Sequence, residues 1–122
     1  FLGFMVAIMG ILAHVAGIPL WVFSLILGYY ICDTGYTVVR RALKKENILQ
    51  GHRKHLYQRL NKLGWSHVRI DLLALTLSSL FGASALSFQS NEKLVGLGLA
   101  GTAIGILIAL VVWVERKDPS FV

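Results

Sequence analysis

Lysine and arginine are missing from the first 39 residues of this sequence, where Asp33 is the only acidic side chain. Charge is scarce throughout. Asp, Glu, Lys and Arg make up 15% of 122 residues, against 56% hydrophobic residues. That balance excludes an ordinary soluble domain, whose apolar share is about 45–50% even with glycine counted. There is one cysteine, Cys32, inside a hydrophobic run. It excludes an intrachain disulfide and says little about compartment. No initiator methionine opens the chain, and no basic region precedes the first apolar run, so no signal peptide is visible. Phe1 begins directly in apolar sequence, and this start is expected to be the middle of a longer protein.

What the sequence does hold is hydrophobic length. The mean hydropathy is +0.67, and four apolar segments are read at about 1–16, 20–39, 68–88 and 94–114. A helical span needs about 20 apolar residues, which three of the four reach. The expectation is an all-α integral membrane protein, a single membrane domain of about four transmembrane helices. Gly17-Ile18-Pro19 separates the first two segments. Ser66 is placed to N-cap the third, with Asp71 near its positive dipole end. A polar turn from Gln89 to Lys93 joins it to the fourth, which ends at Glu115-Arg116-Lys117. Gly101, Gly105 and Ala109 form a small-residue stripe on the fourth segment, which predicts close helix packing.

The net charge of +6 is concentrated in one place. Arg40, Arg41, Lys44, Lys45, Arg53, Lys54, Arg59, Lys62 and Arg69 fall within residues 40–69, where Glu46 is the only acid. The bias of Lys and Arg toward cytoplasmic loops puts the loop 40–67 and the C-terminus in the cytoplasm. The turns at 17–19 and 89–93 then face outward. A nucleic-acid partner needs basic residues on a folded soluble face, and there is no such domain here.

Wound as a helix, residues 52–63 place Leu56, Leu60 and Leu63 on one stripe, with His52, His55, Arg59 and Lys62 on the next. Gly64 is suited to end the helix. This predicts a short amphipathic element lying on the membrane. A line of Arg and His suits a diphosphate, since Arg contacts phosphate oxygens in pairs and His donates or moves a proton near neutral pH. A Lys/Arg-rich loop between two spans is also what any membrane protein carries, and composition leaves both readings open. Zinc is disfavoured, because His52, His55 and His67 lack a cysteine or a well-placed carboxylate. Asp33 lies about 10 Å along a helix from Arg40. It either floors a cytoplasmic site or snorkels toward Arg40 or Arg41. His14, in the first segment, reads as a packed or interfacial histidine.

The stretch Asp33-Thr34, Arg40-Arg41, His52-Arg53-Lys54-His55-Leu56-Tyr57-Gln58-Arg59-Leu60 and Gly64 resembles the C-terminal part of the bacterial polyprenyl-phosphate sugar-1-phosphate transferases. This is glycosyltransferase family 4, which includes phospho-MurNAc-pentapeptide translocase. Family members carry an Asp on a membrane helix, a basic loop, and a motif Asp-Arg-x-His-x-His-His. Here His52 stands at the Asp position, Arg53 matches the Arg, and His55 matches the first His. Tyr57 and Gln58 replace the last two histidines. That variant resembles the branch that starts O-antigen-like polysaccharides with an N-acetyl-6-deoxyhexosamine phosphate. The family's Gly-Asp-x-Gly-Ser motif precedes a helix opening similar to Phe1-Leu2-Gly3-Phe4.

The resemblance implies transfer of a sugar 1-phosphate from a UDP-sugar to undecaprenyl phosphate, at a bacterial inner membrane. It implies Mg²⁺ as cofactor, with the metal-binding and catalytic aspartates in earlier loops outside this chain, so this chain alone is expected to be inactive. Arg53 and His55 are then expected to contact the diphosphate. His52, Tyr57 and Gln58 are expected to shape the sugar-nucleotide pocket, and Asp33 to line it from the membrane side. Arg59 is expected to face lipid head groups. The alternatives are a non-enzymatic four-helix assembly or anchoring subunit and, ranked last, a small transporter. The oligomeric state is not readable, with a homodimer kept as a candidate.

Overall fold

The computed structural model describes residues 1–45 and 55–117. These residues form six α-helices and no strand. Helix α1 is Leu2–Val15, α2 is Leu20–Ile26, α3 is Gly28–Leu43, α4 is Leu56–Lys62, α5 is His67–Gln89 and α6 is Lys93–Lys117. The all-α membrane class expected from the sequence is what the chain adopts. Helices α5 and α6 are long and apolar enough to cross a membrane, and the α2–α3 pair makes a third by length and composition.

That pair is not one straight rod. Over the stretch read as a single apolar segment, α2 and α3 meet at Leu27 with an axis change of 79°. The bend brings the chain into close packing against α5. Gly28 is buried, and a Cβ there would stand 2.7 Å from the Phe81 ring. Only glycine lets the backbone come this close to a bulky core side chain. Beyond the bend, Tyr29, Asp33, Thr37 and Arg41 recur every fourth residue and are all buried. They therefore form one inward stripe, and it is polar over its last three members.

The hinge between α4 and α5 is set locally. Gly64 takes φ +90°; its N–H donates to Asn61 O, and the Trp65 N–H donates to Leu60 O. These two bonds are the Schellman closure, which favours glycine at the left-handed position. Ser66 then N-caps α5, its Oγ accepting from the Arg69 N–H at 3.4 Å.

The core gathers Tyr29, Leu56, Leu60, Ile70, Leu77, Phe81, Ala103, Leu107 and Val114. Inside this chain α6 turns Ala103, Leu107 and Val114 inward, while Gly101, Gly105 and Ala109 lie exposed. The small-residue stripe is thus not what packs α6 in this chain. Instead the Ser84 Oγ on α5 donates to the Gly96 carbonyl at 2.7 Å, a buried hydrogen bond between the two long helices.

Helix α4 departs from expectation in its setting. Leu56 and Leu60 are each only 1% exposed. They insert among the other helices, with α4 in contact with α5 and α6. Leu56 and Leu60 thus form the apolar stripe, sealed against protein instead of lying on the bilayer. The described helix starts only at Leu56, so His55 is its extended N-cap and does not share a helical line with Arg59 and Lys62. Seven residues are too few for a helix to persist alone in water, so these contacts hold α4 in place.

Candidate functional site

The site forms where the start of α4 meets Asp33 on α3. The Leu56 N–H, the first of α4, donates to Asp33 Oδ1 at 2.9 Å. His55 precedes the helix in an extended conformation, with its Nδ1 3.7 Å from Asp33 Oδ2. Asp33 therefore holds the start of α4, and the imidazole stands beside its other oxygen. The sequence left open whether Asp33 floors a site or reaches toward Arg40 or Arg41. Its partners here are Leu56 and His55, and Arg40 pairs elsewhere.

Tyr57 and Gln58 brace this turn. The Tyr57 ring lies nearly parallel to the His55 ring, 17° apart with centroids 6.0 Å apart. The His55 N–H donates to Gln58 Oε1 at 3.2 Å, and Gln58 Nε2 donates to the Tyr57 hydroxyl at 3.1 Å. The Gln58 amide is thereby engaged with its own turn.

Asp33, Thr34, His55, Tyr57 and Asp71 line a cleft of about 320 Å³, walled by Tyr29 and Tyr30. Of the residues proposed from sequence, Asp33, His55 and Tyr57 meet there, and Gln58 adjoins them. His52 and Arg53 lie outside the described residues. A second space, of about 410 Å³, runs between α3 and α6. It is lined by Ile31, Ile104, Ile108 and Val111, and it too reaches Asp33. His67 opens α5 and His14 sits on α1, both exposed. Among the described residues, no three His, Cys, Asp or Glu side chains stand close enough to share a metal ion, so these residues do not by themselves fit a magnesium site.

Arg59 overturns its expected role. Its side chain is 0% exposed and so does not face lipid head groups. Nη1 donates to Glu115 Oε1 at 2.6 Å and to the Tyr36 hydroxyl at 3.1 Å. The same Glu115 oxygen accepts from Arg40 Nε at 2.7 Å and from the Tyr36 hydroxyl. Burial alone would lower the Arg59 pKa. The Glu115 carboxylate outweighs it and holds the guanidinium above its ordinary value, fully charged.

Glu115 and Tyr36 were missed by sequence reasoning. One signal was present for Glu115. It lies in the last turn of α6, where the helix dipole disfavours an anion, so its presence there implied a cationic partner.

No protein-family model matches the chain, and no solved structure matches it. The chain is similar to a Bacillus subtilis protein named "Probable undecaprenyl-phosphate N-acetylglucosaminyl 1-phosphate transferase". The two are 30% identical over 93 residues, 74% of this chain and 26% of the relative. The chain thus spans about a quarter of that relative's length. This similarity supports the transferase family already suggested by the residues from Asp33 to Gly64.

Proposed function

We propose that this chain forms the C-terminal membrane part of a transferase that moves a sugar 1-phosphate from a UDP-sugar to undecaprenyl phosphate. The carrying observation is that Asp33 and His55, two parts of the family-like pattern that lie 22 residues apart in the chain, meet in one cleft. The similarity to the Bacillus relative supports the same class of reaction.

In this reading an oxygen of the lipid phosphate attacks the β-phosphorus of the UDP-sugar. The bond from that phosphorus to the bridging oxygen breaks, and UMP leaves. Such transfers depend on positioning and charge neutralisation more than on covalent chemistry by the protein. Asp33 orients the His55 ring by its Nδ1 side, and Nε2, across the ring, is assigned to the substrate diphosphate. Arg53 is assigned a second contact to the same phosphates. Tyr57, stacked beside His55, and His52 are assigned to the sugar-nucleotide pocket, with Gln58 supporting Tyr57. The apolar groove beside Asp33 suits the isoprenoid chain of the lipid. Mg²⁺, when bound, would neutralise phosphate charge, with ligands from outside this chain. The sugar is an N-acetylhexosamine or its 6-deoxy form. The proposed setting is a bacterial inner membrane, with loop 40–67 and the C-terminus cytoplasmic.

The test is UMP release by the complete protein in membranes, supplied with undecaprenyl phosphate, Mg²⁺ and a panel of UDP-N-acetylhexosamines and their 6-deoxy forms. Lipid-dependent UMP release from at least one sugar is expected. No release from any of them, with the protein inserted and folded, would overturn the reading and favour an anchoring subunit.

A further inference from the structure

Glu115 lies on α6, outside the cleft that His55 and Tyr57 line. One of its oxygens nevertheless gathers three donors from two other helices: Tyr36 and Arg40 on α3, and Arg59 on α4. The Arg59 N–H donates to the His55 carbonyl at 3.1 Å, so whatever fixes Arg59 also constrains the residue that carries the imidazole.

Burying a guanidinium completely costs several kcal/mol unless its partner is well placed. Leu56 and Leu60 already supply the apolar contacts that keep α4 attached. Apolar packing, however, tolerates small slides and rotations of a short helix. A fully buried cation whose Nη1 must meet one carboxylate and one hydroxyl does not tolerate them. Fixing register is the best-attested use of such buried polar groups.

We propose that Glu115 is a positioning residue. Through Arg59 it locks α4 against α3, and so sets where His55 and Tyr57 stand relative to Asp33. The link to catalysis rests on the transferase reading above; the lock itself does not. Two readouts therefore separate the claims, both on the complete protein in membranes or detergent.

The first is amide hydrogen exchange in Glu115→Gln, which keeps the shape and removes the charge. Exchange over residues 56–62 is expected to quicken by about tenfold or more, with α5 unchanged. The second is UMP release. Here kcat is expected to fall by up to about a hundredfold, the scale of a misplacement near 1 Å. KM for the UDP-sugar should change much less, and Glu115→Asp should recover part of kcat. Unchanged exchange over α4 in a folded Glu115→Gln protein would overturn the proposal. So would unchanged kcat in an active enzyme. If the wild type releases no UMP, the transferase reading fails while the exchange comparison still decides the lock. If Glu115→Gln does not insert, Arg59→Met, which keeps much of the apolar length and removes the donor nitrogen, replaces it. Faster α4 exchange in that variant supports the lock, and wild-type exchange refutes it.

Discussion

The carboxylate of Asp33 caps a helix that begins 23 residues later, accepting the Leu56 N–H at 2.9 Å in a buried setting. Caps usually come from the residue just before the helix. Here α3 supplies it, so the short basic helix can start only where α3 allows.

Removing that acceptor should be felt in stability. In Asp33→Ala the Leu56 N–H is left buried without its partner, at a cost of about 1–3 kcal/mol. Asp33→Asn keeps an acceptor of the same shape and should cost less. Thermal unfolding of the two variants in detergent checks this order. Equal midpoints for Ala and wild type would refute the capping role.

Two cations of α4 should behave unlike each other. Arg59→Ala removes a fully buried side chain and its hydrogen bond to Glu115, and a hydrogen bond to a charged group is worth about 1.5–3 kcal/mol. Lys62 is exposed, and Lys62→Ala should change stability by no more than about 0.5 kcal/mol. Denaturation of both variants under one condition makes the comparison. Equal effects would contradict the burial assigned to Arg59.

The bend at Leu27 should depend on the space beside Phe81. Gly28→Ala puts a methyl 2.7 Å from that ring, and overpacking of this kind costs about 1–3 kcal/mol. Phe81→Leu in the same protein should recover part of the loss. Thermal midpoints of the single and double variants test the coupling, and additive losses would rule it out.

How far the sequence led is clearest residue by residue. Ser66 and Gly64 were readable because capping and the left-handed turn are decided within a few residues. The leucine stripe of α4 was readable from its period, but a period names a buried face without naming what buries it. Gly28 packs on Phe81 and Arg59 pairs with Glu115, both partners far along the chain. Such pairs leave no local pattern. Asp33 fell between these cases: its position in an apolar helix marked it as costly, yet only the fold showed that Leu56 and His55 hold it.

The central claim is that Asp33 presents His55 for phosphoryl transfer. Its most direct measurement is lipid-dependent UMP release by the complete protein, wild type against His55→Ala, Arg53→Ala and Asp33→Asn, with membrane insertion checked by Western blot. The account predicts release lowered by roughly a hundredfold or more in His55→Ala, a strong loss in Arg53→Ala and a smaller one in Asp33→Asn, all at normal insertion. Wild-type turnover in His55→Ala and Arg53→Ala would contradict it.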